Sequence, residues 1–230
     1  MERMLNDMGD ILRAAGIYRY GYGTISKIVM IDRQLSISAK GLYVYLCSYA
    51  NTGDVAFPFR QKIITDLGLS INTFYKYMNE LIDRKYITKE QQKKGTKFSY
   101  NIYTIMQTIP YEEYLNISMQ NNISVNLPEC IPYIDIDILG YGKIPKVVTT
   151  DNELSVKSKA LFGFIASNNQ WLNTDLCCWK NLCDIMKVSK TTFYKSINDL
   201  IQKGYIIEYR EESKKGYDKP IYYVNTMFQT

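Results

Sequence analysis

Apolar residues recur along this chain with helical and then strand-like spacing, and the change from one to the other lays out its elements. In residues 2–15, Met4, Leu5, Met8, Ile11, Leu12 and Ala15 share one side of a helix that Gly16 would stop. Ile25 to Ile31 reads as a short extended stretch, followed by a helix that Ser36 or Ser38 can cap and that reaches about Tyr49. Pro58 suits the first turn of a second helix, which runs to about Asp66 and stops at Gly68. Ser70 is a good N-cap for a third, where Phe74, Met78, Leu81 and Ile82 fall on one face by the i, i+4, i+7, i+8 rule. Tyr86-Ile87 then leads into strand text, the turn KKGTK (93–97) and a second strand, which together predict a β-hairpin.

The same pattern is then written a second time. YGTISKIVMIDRQLSISAKGL from Tyr22 returns as YGKIPKVVTTDNELSVKSKAL from Tyr141, and SINTFYKYMNELIDRKYI from Ser70 returns as SKTTFYKSINDLIQKGYI from Ser189. Both pairs are separated by 119 positions, so nothing is inserted or lost between the two blocks of each copy. The second copy predicts helices from about Ser155 to Ser167, from about Leu176 to Met186, and from Ser189, the last with Phe193, Ile197, Leu200 and Ile201 as its core face. Tyr205-Ile206 and the turn KKGYDK (214–219) predict its hairpin.

Three helices followed by a hairpin is the winged-helix arrangement. The predicted fold class is therefore α+β, mainly α, with two tandem winged-helix domains, each of three helices plus a β-hairpin wing. The boundaries read as an N-terminal helix at 1–19, a first domain at 20–104, an acidic connector at 105–139 and a second domain at 140–230. Each copy is long enough for its own core. The N-terminal helix either packs on the first domain or serves as a dimer arm. The connector, with Pro110, Pro128 and Pro132, is expected to hold a short helix near 111–117 and otherwise extended chain, and it is too apolar for a free linker.

Composition narrows the function classes. A hydrophobic fraction of 46% with 22% charged residues is that of a soluble globular protein, and no apolar run approaches the roughly 18 residues of a membrane span. With no secretory signal visible, the expectation is a cytoplasmic protein without membrane partners. Cys47, Cys130, Cys177, Cys178 and Cys183 form no CxxC pair and no disulfide framework, and histidine is absent, so neither a metal nor a cofactor is expected. The net charge of +5 is unevenly spread. Residues 1–109 carry 15 Lys+Arg against 9 Asp+Glu, residues 140–230 carry 13 against 9, and the segment 110–139 has no basic residue and five acids, Glu112, Glu113, Glu129, Asp135 and Asp137. Two basic modules joined by an acidic segment suit a polyanion partner with the connector turned away from it, although so small an excess also serves solubility.

The third helix of each copy carries the candidate chemistry. A major groove about 12 Å wide admits one helix, whose N-terminal side chains reach base edges. The outward residues are Asn72, Thr73, Lys76 and Asn79 with Tyr75 beside them, and Lys190, Thr191, Thr192, Lys195 and Asn198 with Tyr194. Asn can pair bidentately with adenine, Lys can reach guanine or phosphate, and Thr can meet a thymine methyl or a phosphate. Any solvated helix face shows such residues, but four of these positions are identical between the copies. The hairpin lysines Lys93, Lys94 and Lys97, with Lys214, Lys215 and Lys219, would flank the groove and neutralise phosphates, or would simply keep exposed tips soluble. The 21 tyrosines read mainly as packing, with Tyr86, Tyr205, Tyr103 and Tyr223 at core-like positions. No carboxylate cluster recurs and KKGTK lacks the spacing of a phosphate-binding loop, so an enzyme is not expected.

YGTISKIVMIDRQLSISAKGLYVYLCSYAN, VAFPFRQKIITDLGLS and TFYKYMNELIDRKYITKEQQ resemble the helix-turn-helix proteins of Gram-positive plasmids and integrative elements, which are similar to RepA-type plasmid initiators and the N-terminal domain of the DnaD primosome protein. The resemblance is close over about 20–104 and looser over about 140–226, where Cys177, Cys178 and Trp179 replace Pro58, Phe59 and Arg60. It implies sequence-specific binding of double-stranded DNA in replication initiation, with a host helicase, helicase loader or primase as partner. The rival expectations are a transcriptional regulator, typically a homodimer on one operator, and a primosome-type protein-interaction module that does not bind DNA.

Overall fold

The computed structural model describes residues 17–18, 21–50, 55–56, 58–94, 97–123, 131–168, 179–210, 212–213, 216–217 and 220–227. The predicted helix at 1–19 lies outside these apart from Ile17 and Tyr18, as do Glu129, Cys130, Cys177 and Cys178.

The chain opens with strand β1 (Tyr22–Ser26) and turns at once into a short helix, α1 (Lys27–Ile31). This corrects the expectation of extended chain to Ile31, and the second copy does the same with α6 (Lys146–Thr150) where extended text was expected from Ile144. Ser26 caps α1 by accepting from the Ile28 N–H at 3.3 Å, and every residue of α1 is buried. Apolar contact on all sides rewards the helix more than the strand preference of its β-branched residues opposes it.

Helix α2 (Ile37–Ala50) follows, begun by Ser36, whose Oγ accepts from the Ala39 N–H at 3.2 Å. Strand β2 (Val55–Ala56), helix α3 (Arg60–Leu67), helix α4 (Ile71–Asp83) and the antiparallel strands β3 (Ile87–Lys94) and β4 (Lys97–Ile105) complete the first copy. β2 pairs with the far edge of β4, making a three-stranded sheet. The connector holds β5 (Thr108–Pro110), α5 (Tyr111–Gln120) and β6 (Tyr133–Asp135), with β5 and β6 paired antiparallel. The helix there is longer than expected. Asn121 ends it, donating from Nδ2 to the Ile31 carbonyl at 3.2 Å and so binding the connector to α1.

The second copy comprises β7 (Tyr141–Pro145), α6, α7 (Val156–Asn168), α8 (Trp179–Met186), α9 (Lys190–Gln202), β8 (Ile206–Tyr209), β9 (Glu212–Ser213), β10 (Gly216–Tyr217) and β11 (Ile221–Val224). β8 pairs with β11, and β9 with β10. Tyr222, not Tyr223, occupies the place of Tyr103, because strand faces alternate residue by residue and the 119-residue offset maps 103 onto 222.

The copies meet along an extensive seam. β1 and β7 pair antiparallel with Thr24 opposite Lys143, and the Lys27 and Lys146 N–H groups donate to the Gly140 and Gly21 carbonyls respectively, at 3.0 and 2.9 Å. Helices α2 and α7, almost wholly buried, cross face to face, and the buried residues of both copies form one contiguous apolar cluster. At the crossing the backbones come very close. A Cβ on Gly163 would lie 2.5 Å from Val44 Cγ2, and one on Gly41 would lie 2.3 Å from the Val156 carbonyl oxygen. Two buried lysines span the seam. Lys40 Nζ donates to the Ile185 carbonyl at 3.0 Å, and Lys159 Nζ donates to the Asp66 carbonyl at 2.5 Å. Desolvation lowers the pKa of Lys40 from 10.5 to about 7 and that of Lys159 to about 8.

Candidate nucleic-acid interface

In each copy the second and third helices are joined by a tight turn that aims the third. The chain leaves α3 through Gly68 in the left-handed region (φ 60°), with the Gly68 N–H donating to the Thr65 carbonyl at 3.2 Å and the Leu69 N–H to the Ile64 carbonyl at 2.9 Å. α4 then starts at Ser70, whose Oγ accepts from the Thr73 N–H at 3.2 Å. The second copy repeats this geometry with Lys187 (φ 53°) in place of the glycine, the Val188 N–H donating to the Cys183 carbonyl at 2.9 Å and Ser189 Oγ capping the Thr192 N–H at 3.2 Å.

The inward face of each third helix is as its spacing predicts. Phe74, Met78 and Leu81 are buried in α4, and Phe193, Ile197 and Leu200 in α9, while Ile82 and Ile201 are half-buried against the same core. The opposite face is left to solvent. Asn72, Lys76 and Asn79 are exposed on α4, as are Lys190, Thr191, Lys195 and Asn198 on α9. Thr73, Tyr75, Thr192 and Tyr194 are half-buried at its margin. Thr73 Oγ1 and Thr192 Oγ1 are hydrogen-bonded to the cap serines at 2.7 and 3.0 Å, which ties these two threonines to the helix start.

An acidic anchor holds the far end of each helix. Asp32 accepts from Arg84 Nε at 2.9 Å and from the Tyr86 hydroxyl at 2.8 Å; in the second copy Asp151 accepts from the Tyr205 hydroxyl at 3.1 Å and faces Lys203 Nζ at 3.8 Å. Arg84 also bridges Glu113 at the start of α5. That acid of the connector is therefore spent on a cation at the C-terminal end of α4, roughly 18 Å along the helix axis from Asn72.

Beyond the candidate residues, Arg60, Lys89 and Trp179 flank the exposed faces of α4 and α9. Arg60 Nη1 donates to the Tyr75 hydroxyl at 2.7 Å, and Lys89 Nζ lies 5.7 Å from the Tyr75 ring centroid. At the corresponding place in the second copy, Lys190 Nζ lies 4.8 Å from the Trp179 ring and 5.9 Å from that of Tyr194. The exchange of Arg60 for Trp179 was visible in the sequence, whereas nothing in it pointed to Lys89, whose equivalent is Glu208. The backbone places Lys93 and Lys94 at the end of β3 and Lys97 at the start of β4, while Lys214, Lys215 and Lys219 lie outside the described residues. Among the described residues no cluster of three His, Cys, Asp or Glu side chains could hold a metal ion, and no helix is long and apolar enough to cross a membrane.

Comparison with known families identifies a helix-turn-helix domain at residues 33–87, spanning α2, α3, α4 and the first residue of β3. No curated protein matches the chain at a significant level.

Proposed function

We propose that this chain is a non-enzymatic, sequence-specific double-stranded-DNA-binding protein that inserts α4 and α9 into major grooves. The observation that carries the reading is the pair of capped helices, each turned out of a helix-turn-helix bend and each presenting exposed Lys and Asn at matching positions, Lys76 and Asn79 against Lys195 and Asn198. The hairpins would flank the grooves and add phosphate contacts. The role we propose is initiation of replication of a plasmid or mobile element with a host helicase, helicase loader or primase, a role that rests on the resemblance of residues 20–104. A second reading, transcriptional regulation, is favoured by the reciprocal contacts between the copies, which suit a single operator. The test is duplex affinity as a function of salt for the wild type and for Lys76→Ala with Lys195→Ala. The expected result is a weaker and less salt-dependent complex, because lost phosphate contacts flatten the slope of log K against log salt. Unchanged affinity at every salt concentration would overturn the assignment of α4 and α9, and a role in initiation requires further that the bound site support replication of a plasmid carrying it.

A further inference from the structure

The seam between the copies is reciprocal in the manner of a symmetric dimer interface, where residue i meets j and j meets i. Lys40 of the first copy bonds the backbone at Ile185 of the second, and their equivalents, Lys159 and Asp66, make the same contact in the other direction. The Lys27-to-Gly140 and Lys146-to-Gly21 bonds form a second exchanged pair. Two further contacts join a position to its own equivalent: Thr24 faces Lys143 in the strand pair, and Val44 touches Gly163 at the helix crossing. Only residues on a two-fold axis meet their own counterparts, so an approximate two-fold axis passes through both points. α4 packs on α2 and α9 on α7, which puts the two reading helices on either side of that axis.

The reading faces are less alike than the seam. Ile71 and Asn72 of the first copy correspond to Lys190 and Thr191 of the second, Arg60 to Trp179, and Lys89 to Glu208. The backbone of a straight duplex has its own two-fold axes perpendicular to its length, and helices related by a protein two-fold meet it with opposite polarity. Resting on the DNA-binding reading above, we infer that the chain is a one-chain counterpart of a symmetric dimer: one molecule takes one duplex site built of two half-sites of different sequence in inverted orientation, one read by α4 and the other by α9. The restraint is rigid, since β1, β7, α2 and α7 fix the relation of the two helices through direct packing.

The experiment is selection of a random duplex library on the full chain at moderate salt, sequencing of the bound pool, and measurement of the mass of the complex on the enriched duplex. The expected site has two unequal inverted half-sites with centres about 10 bp or a multiple apart, bound by one chain. Turning one half-site into direct orientation should weaken binding at least about tenfold, since it mismatches several contacted base pairs together. Asn79→Ala should relax selection in one half-site, and Asn198→Ala in the other. Direct repeats, a single half-site, two chains on one palindrome, or one chain bridging two duplexes would each overturn the inference while leaving DNA binding intact. A pool with no enrichment would overturn the sequence-specific reading and this inference with it.

Discussion

Lys40 and Lys159 make the stability of this protein depend on pH in an unusual direction. Both are buried across the seam, and both have folded-state pKa values below the 10.5 of an exposed lysine, about 7 and about 8. In the folded protein the neutral amine is favoured, while the unfolded chain keeps its protons up to about pH 10.5. Between these limits unfolding takes up protons, so stability rises with pH, at about 1.4 kcal/mol per pH unit for each fully affected lysine. From pH 7.5 to 9.5 the two together should raise the unfolding free energy by about 4 kcal/mol, roughly 2 from each. Urea denaturation followed by circular dichroism at half-unit intervals would measure the slope. Below about pH 7 the dependence on Lys40 should level off, because folded and unfolded states are then both protonated. Lys40→Met removes one of the two linked amines, so its stability should rise with pH less steeply than that of the wild type, by about 1 kcal/mol per pH unit between pH 7.5 and 9.5. Buried Cys47, whose thiol is pushed well up by desolvation, opposes part of this rise above about pH 8, so the decisive quantity is the difference between proteins: a slope unchanged in Lys40→Met with Lys159→Met would refute the reasoning and show that water reaches both amines.

The two copies also act as each other's control for backbone strain. The left-handed position after α3 is Gly68 but its counterpart after α8 is Lys187, and the position after α4 is Lys85 while its counterpart after α9 is Gly204. Lys187→Gly and Lys85→Gly should therefore each stabilise by about 1 kcal/mol, and Gly68→Lys should destabilise by a similar amount, as read from thermal midpoints. At the helix crossing, Gly41→Ala should destabilise by about 1–3 kcal/mol even though alanine is the better helix former, because its Cβ has to displace the Val156 backbone. A stabilised Gly41→Ala protein would mean that α2 and α7 pack less closely than the structure has them.

The parts of this protein legible in the sequence were those governed by local chemistry. Serine caps at Ser70 and Ser189, the apolar stripe from Phe74 to Leu81, the turn at Gly68 and the strand text after Tyr86 each depend on neighbours within a few residues, so their spacing alone placed the third helices and exposed Lys76 and Lys195 on their outer faces. The repeat itself was equally plain, because a constant 119-residue offset is a property of the text. Only the tertiary structure decided how the copies relate. β-branched runs at Lys27–Ile31 and Lys146–Thr150 became helices because they are packed between the copies, Glu113 of the connector was claimed by Arg84, and Lys40 and Lys159 were drawn into the seam by carbonyls more than 90 residues away. Such contacts leave no periodic mark: they depend on which surfaces meet, and a two-fold seam is a relation between surfaces that no local window of sequence contains.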